Sequence, residues 1–531
     1  MKRQLFLALS ACLTWAGAAQ AEYVLHVLHI NDLHSRLAPV NKYNSTCSAE
    51  DDAAGECFGG VARLATMIDQ MRDDLEAKGE NVIVLDAGDQ FQGSLMYTTY
   101  KGAAAAEFMK EIGFDAMAVG NHEFDDGPLK LVDFIRAVNF PVVSGNLNVA
   151  AEPQLAEVLE PHVVLDIGGE KIGIVSALAT DTVDTSSPGP NVVFSDEVEE
   201  LTEDVEMLDD QGVDIIIALT HVGLNRDLQI AEMVPHLDAV IGGHSHTYLN
   251  SDDPEAEGPY PTMVDDVPVV QAGAYGRYLG YLVLTFDDAG ELVSAKGGPI
   301  ALTADIKPHE EIAERVGELT GPIEDLMAEV VGESAAAVDG ERNNCRSREC
   351  TMGNLVADAM LDRVRDQGIS IAITNGGGLR ASIDTGEVTM GEVLTVLPFQ
   401  NTLSTFTATG AMIIDALENG VSQVEDLKGR FPQVAGLRFS WDPSAGPNEG
   451  RIVEVEVANG DAWVPIDPAA EYGVVTNNYV RNGGDGYAVF EVAKDAYDFG
   501  PGLERVLADY LEALGGPYQP YIDGRIVTVA Q

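Results

Sequence analysis

The sequence predicts an α/β protein of more than one domain. Its 531 residues exceed the roughly 100–200 residues of a typical domain, and a hydrophobic content of 46% is enough to form large cores. Five apolar, β-like runs in the first half each end in polar residues rich in Asp, His and Asn. After about Thr303 the chain becomes charged and helical in pattern, and a second half with glycine-rich motifs follows. These observations favour layered α/β domains with a ligand site where the strands end.

The first two predicted strands already bring acidic residues and a histidine to their ends. Residues 23–30 read as a strand that runs into N-D-L-H (31–34). Since residues i and i+2 of a strand point the same way, Asp32 and His34 can face one ion. A helix is predicted over 61–78 because its apolar residues recur at helical spacing. The next strand, 81–85, runs into D-A-G-D (86–89).

Three further strands end in the same kind of residue. A helix over 103–112 leads to a strand at 116–119 and then to G-N-H-E-F-D (120–125). The strand at 213–219 runs into T-H (220–221), and the strand at 238–241 runs into G-G-H-S-H (242–246). Five such endings are hard to explain by packing alone. The candidate metal ligands are Asp32, His34, Asp89, Asn121, His221, His244 and His246.

This set of carboxylates, imidazoles and an amide suits two divalent ions about 3.5–4 Å apart that share one carboxylate and a water. Such mixed ligands favour zinc, manganese, cobalt or iron over calcium. Glu123, in the same stretch as Asn121, receives no role.

The N-terminus has the pattern of a cleavable secretory signal. A basic start, a short apolar run and Ala19-Gln20-Ala21 predict cleavage after Ala21, so residues 1–21 are assigned to a signal peptide and the mature protein to the periplasm or the exterior. A lipoprotein box, L-S-A-C (9–12), is the lesser alternative, with Cys12 as the anchor. No later run of 18 or more apolar residues predicts a membrane span.

Four cysteines remain in the mature chain, and their even number in an exported protein suggests disulfides. Local pairing would join Cys47 to Cys57 and Cys345 to Cys350. Zinc binding is the competing interpretation, but neither pair has C-x-x-C spacing.

The net charge of −55 excludes some classes of partner. Such a surface repels nucleic acid and anionic membranes. The acidic residues are interpreted as a solvated surface of a protein from a salty environment. If the substrate is a phosphate, local cations must overcome this field.

The second half carries glycine-rich loops and clustered arginines. The charged helical stretch over 308–333, with a break at Gly321-Pro322, is interpreted as a linker. After it come C-R-S-R-E-C (345–350), a helix around 352–364 and a strand at 371–374 that runs into N-G-G-G-L-R (375–380). Glycines of this density let backbone amides approach a ligand closely.

The ordered motifs D-x-H (32–34), G-D (88–89), G-N-H-E (120–123), His221 and G-H-x-H (243–246) resemble the calcineurin-like metallophosphoesterases. N-G-G-G-L-R (375–380) and N-G-G-D-G-Y (482–487) resemble the C-terminal domain of 5′-nucleotidases. The resemblance covers nearly the whole mature chain. It implies a four-layer αββα metallophosphoesterase sandwich over 22–305, a helical linker over 306–335 and a C-terminal α/β substrate-binding domain over 336–531.

The resemblance also implies roles for single residues. One ion would be held by Asp32, His34, Asp89 and His246, and the other by Asp89, Asn121, His221 and His244. His122 and Asp125 would form a catalytic dyad. The residues that would bind substrate are Arg346, Arg348 and Arg380 at the phosphate, Asn375 and Asp485 at the nucleoside, and Phe399 and Tyr479 on either side of the base.

Three positions depart from the family pattern. Tyr479 stands where many members have Phe, Gln400-Asn401 stands where others often have glycine, and His246 is Asn or Gln in several nucleotidases. A tyrosine still stacks, and His246 keeps its ion site complete.

The implied function is a dinuclear-metal phosphohydrolase that releases phosphate from nucleoside 5′-monophosphates for extracytoplasmic nucleotide salvage, with UDP-sugars or other nucleotides as further substrates. The implied oligomeric state is a monomer or weak homodimer. One alternative is a 2′,3′-cyclic-nucleotide 2′-phosphodiesterase/3′-nucleotidase. A relative that hydrolyses sulfur–sulfonate bonds is disfavoured by the base-stacking candidates. A non-catalytic nucleotide-binding surface protein is disfavoured by the complete ligand set.

Overall fold

A computed structural model describes residues 22–529 except 42–43, 45–46, 48, 400, 461 and 498–499. The predicted signal peptide, with Cys12, and Gln400 therefore lie outside the described residues. The strands of the first half are β1 (Tyr23–Ile30), β2 (Asn81–Asp86), β3 (Ala116–Ala118), β4 (Val142–Val143), β5 (Leu147–Asn148), β6 (His162–Ile167), β7 (Glu170–Leu178), β8 (Val193–Phe194), β9 (Ile215–His221), β10 (Ala239–Ile241), β11 (Thr262–Val264), β12 (Val267–Val270), β13 (Tyr278–Phe286) and β14 (Leu292–Ala301).

Nine α-helices of the first half lie among these strands in the described residues. They are α1 (Ala49–Ala54), α2 (Val61–Glu76), α3 (Leu95–Tyr100), α4 (Gly102–Ile112), α5 (Pro128–Ala137), α6 (Pro153–Ala156), α7 (Thr182–Thr185), α8 (Glu197–Asp210) and α9 (Leu224–Met233). The five predicted strands and the two predicted helices are thus present, with ends that differ by a few residues.

Two six-stranded sheets pack face to face in the first half. Their strand orders are β14-β13-β1-β2-β3-β4 and β11-β12-β10-β9-β7-β6. Leu25 and Val27 of β1 face the second sheet in one buried cluster, whereas Leu28 and Ile30 lie in another cluster with α2, α4 and α5. The other face of the second sheet packs against α8 and α9. The alternation of side chains along each strand thus builds four layers, helix–sheet–sheet–helix, as predicted.

The second half is also α/β. Its strands are β15 (Val330–Ser334), β16 (Ile371–Asn375), β17 (Gly386–Thr389), β18 (Leu403–Thr409), β19 (Pro432–Ala435), β20 (Leu437–Trp441), β21 (Ile452–Asn459), β22 (Ala462–Pro465), β23 (Glu471–Asn477), β24 (Lys494–Tyr497) and β25 (Ile526–Thr528). Its helices, with the one that precedes it, are α10 (Glu310–Met327), α11 (Arg342–Cys345), α12 (Thr351–Val364), α13 (Met390–Val396), α14 (Gly410–Gly420), α15 (Asn478–Arg481) and α16 (Leu503–Ala513).

A five-stranded sheet of order β19-β16-β23-β18-β24 forms the centre of this half. Ala372 and Val475 pack on the α12 side, and Ile371 and Phe406 pack on the α14 side. A four-stranded sheet of order β22-β21-β20-β25 adjoins it. The N-G-G-G-L-R motif begins at the last residue of β16, an interior strand of this sheet.

The proposed linker differs from its predicted conformation. Pro322 lies inside α10 and does not end it, because Leu319 and Ile323 on either side are buried against neighbouring elements. Residues 330–334, expected to be helical, form β15 and pair antiparallel with β17. Val331 is buried there, so β-branched side chains and tertiary packing outweigh the helical pattern.

Both predicted disulfides are present, Cys47–Cys57 and Cys345–Cys350. The zinc alternative for these cysteines is thereby excluded. Among the described helices, none is sufficiently long and apolar to cross a membrane.

Candidate active site

The carboxyl ends of the strands in the two large sheets meet at one edge, and the seven predicted metal ligands lie there. β1, β2 and β3 run parallel in the first sheet, and β9 and β10 run parallel in the second. The side chains that follow these strands therefore converge between the sheets. Five of the seven are buried, and the other two, His244 and His246, are partly buried.

Four of these residues surround a first point. The Nε2 atoms of His34 and His246 are 2.9 Å apart, and His246 Nε2 lies 3.2 Å from Asp32 Oδ1. His34 Nε2 is 3.7 Å from a carboxylate oxygen of Asp89. The ligand atoms of Asp32, His34 and His246 are close enough together to hold one ion.

Asp89 also belongs to a second group. Its Oδ2 lies 3.1 Å from His221 Nε2, and Asn121 Oδ1 lies 2.8 Å from His244 Nδ1. Asp32, Asp89 and His221 form a further group compact enough for an ion. Asp89 therefore stands between two sets of ligands, which is the arrangement that a dinuclear centre with a shared carboxylate requires.

The hydrogen bonds behind these ligands fit metal binding. His221 Nδ1 donates to the Ala87 carbonyl at 2.6 Å, and His34 Nδ1 lies 3.2 Å from the Phe91 carbonyl. Both bonds turn Nε2 toward the cluster, as is usual for metal-bound histidines. Among the described residues, the buried atoms Asp32 Oδ1 and His221 Nε2 have close neighbours at 3.2 and 3.1 Å, but neither atom makes a hydrogen bond of good geometry. Oxygen and imidazole donors of this kind suit zinc, manganese or cobalt.

Electrostatics around Asp89 favour a positive charge. Burial lowers the pKa of His221, but the adjacent Asp89 more than reverses this effect and raises it. The reciprocal effect of His221 lowers the pKa of Asp89 despite burial. The carboxylates that raise the pKa of the buried His221 imidazole would also stabilise a divalent cation at the same place.

The backbone of the site is in an unusual conformation. Five of the seven candidate ligands have φ between 51° and 72°, the left-handed region: Asp32, His34, Asp89, His244 and His246. Such residues cost about 1–3 kcal/mol each and persist only where the surroundings hold them. Position 120 has no room for a side chain, because a Cβ on Gly120 would lie 2.3 Å from Asp89 Oδ1 and 2.7 Å from Glu123 Oε2.

Glu123 supplies much of this support. Its carboxylate is fully buried. It accepts hydrogen bonds from four backbone amides, those of Asp89, Gln90, Phe91 and Gly120, at 2.7–3.1 Å. Glu123 thereby ties the loop that carries Asp89 to the turn that carries Asn121. The sequence alone predicted no role for Glu123, because only its position two residues after Asn121 in the motif pointed to the site.

The predicted dyad is assembled beside the ligands. His122 Nδ1 lies 2.7 Å from Asp125 Oδ2, and the His122 amide donates to Asp89 Oδ1 at 2.9 Å. Burial lowers the pKa of His122, but Asp125 and Asp89 outweigh burial and raise it. With Nδ1 engaged, Nε2 is the atom left for a reacting group.

Residues of the second half complete a cavity of about 290 Å³ over this edge. Arg380 Nη2 lies 3.1 Å from His34 Nε2, and its guanidinium carbon lies 5.5 Å from the centre of the Phe399 ring. The Phe399 ring stacks on His122 with 5.7 Å between ring centres. The two halves therefore form a single cleft.

The far wall of the cavity carries the other predicted substrate residues. Asn375, Tyr479 and Asp485 line it. Asn375 Nδ2 donates to Asp485 Oδ2 at 2.6 Å, and Tyr479 Oη accepts from the Asp485 amide at 3.1 Å. The Tyr479 ring lies against Gly484, where a Cβ would approach it to 2.5 Å. The N-G-G-D-G-Y motif thus shapes the wall around one aromatic ring and one buried carboxylate.

The arginines of C-R-S-R-E-C have different positions. Arg346 is buried and lines the cavity. Arg348 is exposed, its guanidinium bonds Asn344, and it is not among the residues that line the cavity. The turn after α11 therefore brings only one of the two into the cleft.

Several other lining residues were not predicted, and four of them make polar contacts at the site. Lys428 Nζ lies 3.0 Å from Asp181 and 3.3 Å from His244 Nε2. Gln92 and Ser186 donate to the two oxygens of Asp125 at 3.0 and 2.7 Å. Arg342 donates to the Ser245 carbonyl. All lie in loops or short helices, and no sequence motif marked them.

Two family models match the chain. The calcineurin-like phosphoesterase model covers residues 25–248, and the 5′-nucleotidase C-terminal domain model covers residues 330–492. Among curated proteins, 5′-nucleotidases of Diplobatis ommata and Rattus norvegicus are each 38% identical. The match covers 96% of this chain and 90% of the Diplobatis protein, and 98% of this chain and 93% of the rat protein.

A solved structure agrees with these matches. The 5′-nucleotidase precursor from Thermus thermophilus is 40% identical and superposes with a TM-score of 0.90, over 96% of this chain and 100% of that one. Together with the geometry of the cleft, these similarities show that the chain belongs to the 5′-nucleotidase family of metal-dependent phosphohydrolases.

Proposed function

We propose that this protein hydrolyses nucleoside 5′-monophosphates to nucleosides and phosphate. The observation that carries the proposal is the 3.1 Å approach of Arg380 to His34. In this contact a guanidinium of the second half lies against a candidate metal ligand of the first half, which supports a phosphate-binding role for Arg380. A phosphate bound by Arg380 would then lie at the edge where Asp89 and His122 are.

We assign one ion to Asp32, His34, Asp89 and His246 and the other to Asp89, Asn121, His221 and His244. When bound, the two ions neutralise phosphate charge and activate the attacking water. Zinc, manganese and cobalt suit the ligands best. The positive charge of the bound ions would also offset the repulsion between a phosphate substrate and a protein of net charge −55.

His122 is proposed to act on the leaving group. Asp125 holds Nδ1, so Nε2 can stabilise charge on the departing ribose oxygen and give it a proton. Gln92 and Ser186 hold the two oxygens of Asp125, which fixes the orientation of the imidazole.

Arg346 and Arg380 are proposed to position the phosphate. Guanidinium groups make forked, charge-assisted hydrogen bonds that match phosphate oxygens. Both side chains are buried, where such bonds are stronger than in water. Lys428 adds a third cation at the same end of the cavity. Arg348 is left out because of its exposed position.

The nucleoside is proposed to occupy the far wall. Phe399 and Tyr479 would stack on the base, and a stack of this kind is worth ~1–3 kcal/mol by analogy with single-strand binding. Asp485 would accept hydrogen bonds from ribose hydroxyls, and Asn375 would contact the nucleoside. Since metals and nucleoside are on different domains, the C-terminal domain is proposed to rotate to admit substrate and release product.

The site of action is proposed to be outside the cytoplasm, in nucleotide salvage. The two disulfides support it because such bonds persist in oxidising compartments. N-terminal sequencing of the protein purified from culture medium or periplasm checks this directly, with Glu22 as the expected first residue. A chain that still begins at Met1 would contradict it.

A substrate panel tests the proposed activity. The mature protein would be assayed for phosphate release from AMP, UMP, UDP-glucose, 2′,3′-cyclic AMP and a thiosulfate-type substrate, with and without chelator. We expect hydrolysis of AMP or UMP that the chelator abolishes. Preference for the cyclic nucleotide would favour the phosphodiesterase alternative, and no hydrolysis by metal-loaded protein would favour a binding protein.

A further inference from the structure

One loop carries a candidate ligand for each of the two ions. His244 is assigned to one ion and His246 to the other, and both belong to residues 242–247, which we call the histidine loop. Both histidines have left-handed backbone conformations, with φ of 72° and 59°. Such conformations persist only where neighbouring groups hold them. The positions of both ions therefore depend on the groups that hold this loop.

Gln271, the residue after β12, bonds the histidine loop at three points. Its Nε2 donates to the Gly243 carbonyl at 3.0 Å. Its Oε1 accepts from the Ser245 hydroxyl at 2.9 Å and from the Thr247 amide at 3.1 Å. The three bonded residues alternate with the two histidines, so Gln271 fastens the loop on both sides of each ligand.

A buried carboxylate fixes the orientation of this amide. Gln271 Nε2 also donates to Asp227 Oδ2 at 3.0 Å, and Asp227 Oδ1 accepts from Thr220 Oγ1 at 2.6 Å. Asp227 and Gln271 are both fully buried. Both N–H donors and the oxygen of Gln271 are thereby engaged. A flipped amide would set its oxygen against the carboxylate of Asp227, so only one orientation satisfies the site.

Two glycines let the histidine loop pack directly on this pair. A Cβ on Gly242 would lie 2.0 Å from Asp227 Oδ2 and 3.0 Å from Gln271 Nε2. A Cβ on Gly243 would lie 2.8 Å from the Ala87 carbonyl oxygen on the opposite side. The backbone before the histidines is thus held between the Asp227–Gln271 pair and the loop that leads to Asp89.

Burying an amide and a carboxylate is costly unless every polar atom finds a partner. Here the amide spends three of its four hydrogen bonds on the histidine loop. We propose that Gln271, oriented by Asp227, is a positioning residue that sets the ligands of both ions through this single loop, although Gln271 is not itself a ligand. The proposal rests on the ligand assignment of the proposed function.

Metal titration of the chelator-treated mature protein tests the proposal. Gln271→Met keeps the length of the side chain and removes all of its hydrogen bonds. We expect both stepwise dissociation constants for Mn²⁺ to rise by about 10–100-fold. Gln433→Met is the matched control, because Gln433 is an equally buried glutamine that bonds three backbone groups of the other half. It should bind both ions as the wild type does.

Exchanging the two side chains separates hydrogen bonding from bulk. In the double variant Asp227→Asn with Gln271→Glu, an amide again faces a carboxylate, the net charge is unchanged, and the bond to the Gly243 carbonyl is lost. Its Mn²⁺ affinity should fall by only about 2–10-fold, the equivalent of one hydrogen bond. A fall as large as that of Gln271→Met would overturn the role given to these hydrogen bonds.

Unchanged Mn²⁺ affinity in Gln271→Met, or a loss confined to one of the two ions, would overturn the proposal. If Gln271→Met does not fold, Ser245→Ala decides the question, because it removes the hydroxyl that bonds Gln271. Both dissociation constants should then rise by about 2–10-fold, and unchanged values would overturn the proposal. Since no substrate is present in these titrations, their failure is distinct from a failure of the AMP assay.

Discussion

The two walls of the catalytic cleft are built in different ways. On the N-terminal wall, the candidate ligands follow strands of two packed sheets, and five of them have left-handed backbone conformations. On the C-terminal wall, the substrate candidates come from short segments at or beyond the ends of α11, β16 and α13 and from the short helix α15 with the turn that follows it. The first wall is fixed by the cores beneath it, whereas the second is assembled from loops that the domain packing brings together.

This difference suggests a division of labour. A strained, heavily hydrogen-bonded edge suits chemistry, which needs fixed geometry. A wall made of loops suits selection, because loops can differ in shape and length while the scaffold stays the same. Variants of the first wall should therefore lower kcat or metal affinity, and variants of the second should chiefly raise KM.

The largest effect is expected at the dyad. His122→Ala should lower kcat for AMP by about 10²–10⁴, the usual range for a general acid–base group, with metal content preserved. Steady-state kinetics and metal analysis measure the two quantities. His162→Ala is the control, because His162 forms a similar pair with Asp204 outside the site. Loss of metal from His122→Ala would show that His122 is a ligand.

A smaller effect is expected behind the metal ligands. Glu123→Gln should weaken metal affinity by about 10–100-fold, a common result when a partner of a ligand is changed, because Gln can accept fewer of the four amide hydrogen bonds. Metal titration measures the affinity, and excess metal should restore most of kcat. Glu349→Gln, which alters a buried carboxylate that also accepts backbone amides, should bind metal normally. Unchanged metal affinity in Glu123→Gln would show that Glu123 does not support the metal ligands.

The substrate wall should respond in KM. Phe399→Ala should raise KM for AMP by roughly 5–150-fold, equivalent to the ~1–3 kcal/mol of one stack, with a smaller change in kcat. Trp463→Ala removes an exposed aromatic ring that packs on Arg438 elsewhere and should leave both constants unchanged. A fall in kcat alone would mean that Phe399 serves mainly to hold His122, on which its ring stacks.

The smallest effect concerns the contact between the domains. Asn225 Nδ2 of the N-terminal half donates to Asp426 Oδ1 of the C-terminal half at 2.9 Å, outside the cleft itself. Asn225→Ala should raise KM by roughly 2–10-fold, the equivalent of one exposed hydrogen bond of ~0.5–1.5 kcal/mol, if closure contributes to binding. Asn191→Ala, which removes a similar bond to Glu152 within one domain, should have no effect. Equal KM values for both variants would argue against a role of this contact in closure.

The same contrast explains what could be predicted from the sequence. The shared position of Asp89, Asn121 and His221 could be predicted because an apolar run indicates a strand, and the ends of parallel strands meet at one edge of a sheet. The four layers and both disulfides were also predicted. Lys428 was not, because its loop meets Asp181 only after two domains have packed.

The local sequence pattern gave a wrong or incomplete prediction where long-range packing determines the structure. Arg346 and Arg348 lie two residues apart in the same motif, yet the turn after α11 buries Arg346 and leaves Arg348 exposed. The helical pattern of the proposed linker could not reveal that residues 330–334 pair with β17.

A crystal structure with manganese and a non-hydrolysable AMP analogue would show both walls of the cleft in use at once. We expect two anomalous manganese peaks on either side of Asp89. We also expect the phosphate between Arg380 and His122 and the base between Phe399 and Tyr479. A base bound away from both rings, or manganese bound without Asp89, would contradict the division of chemistry and selection between the two walls.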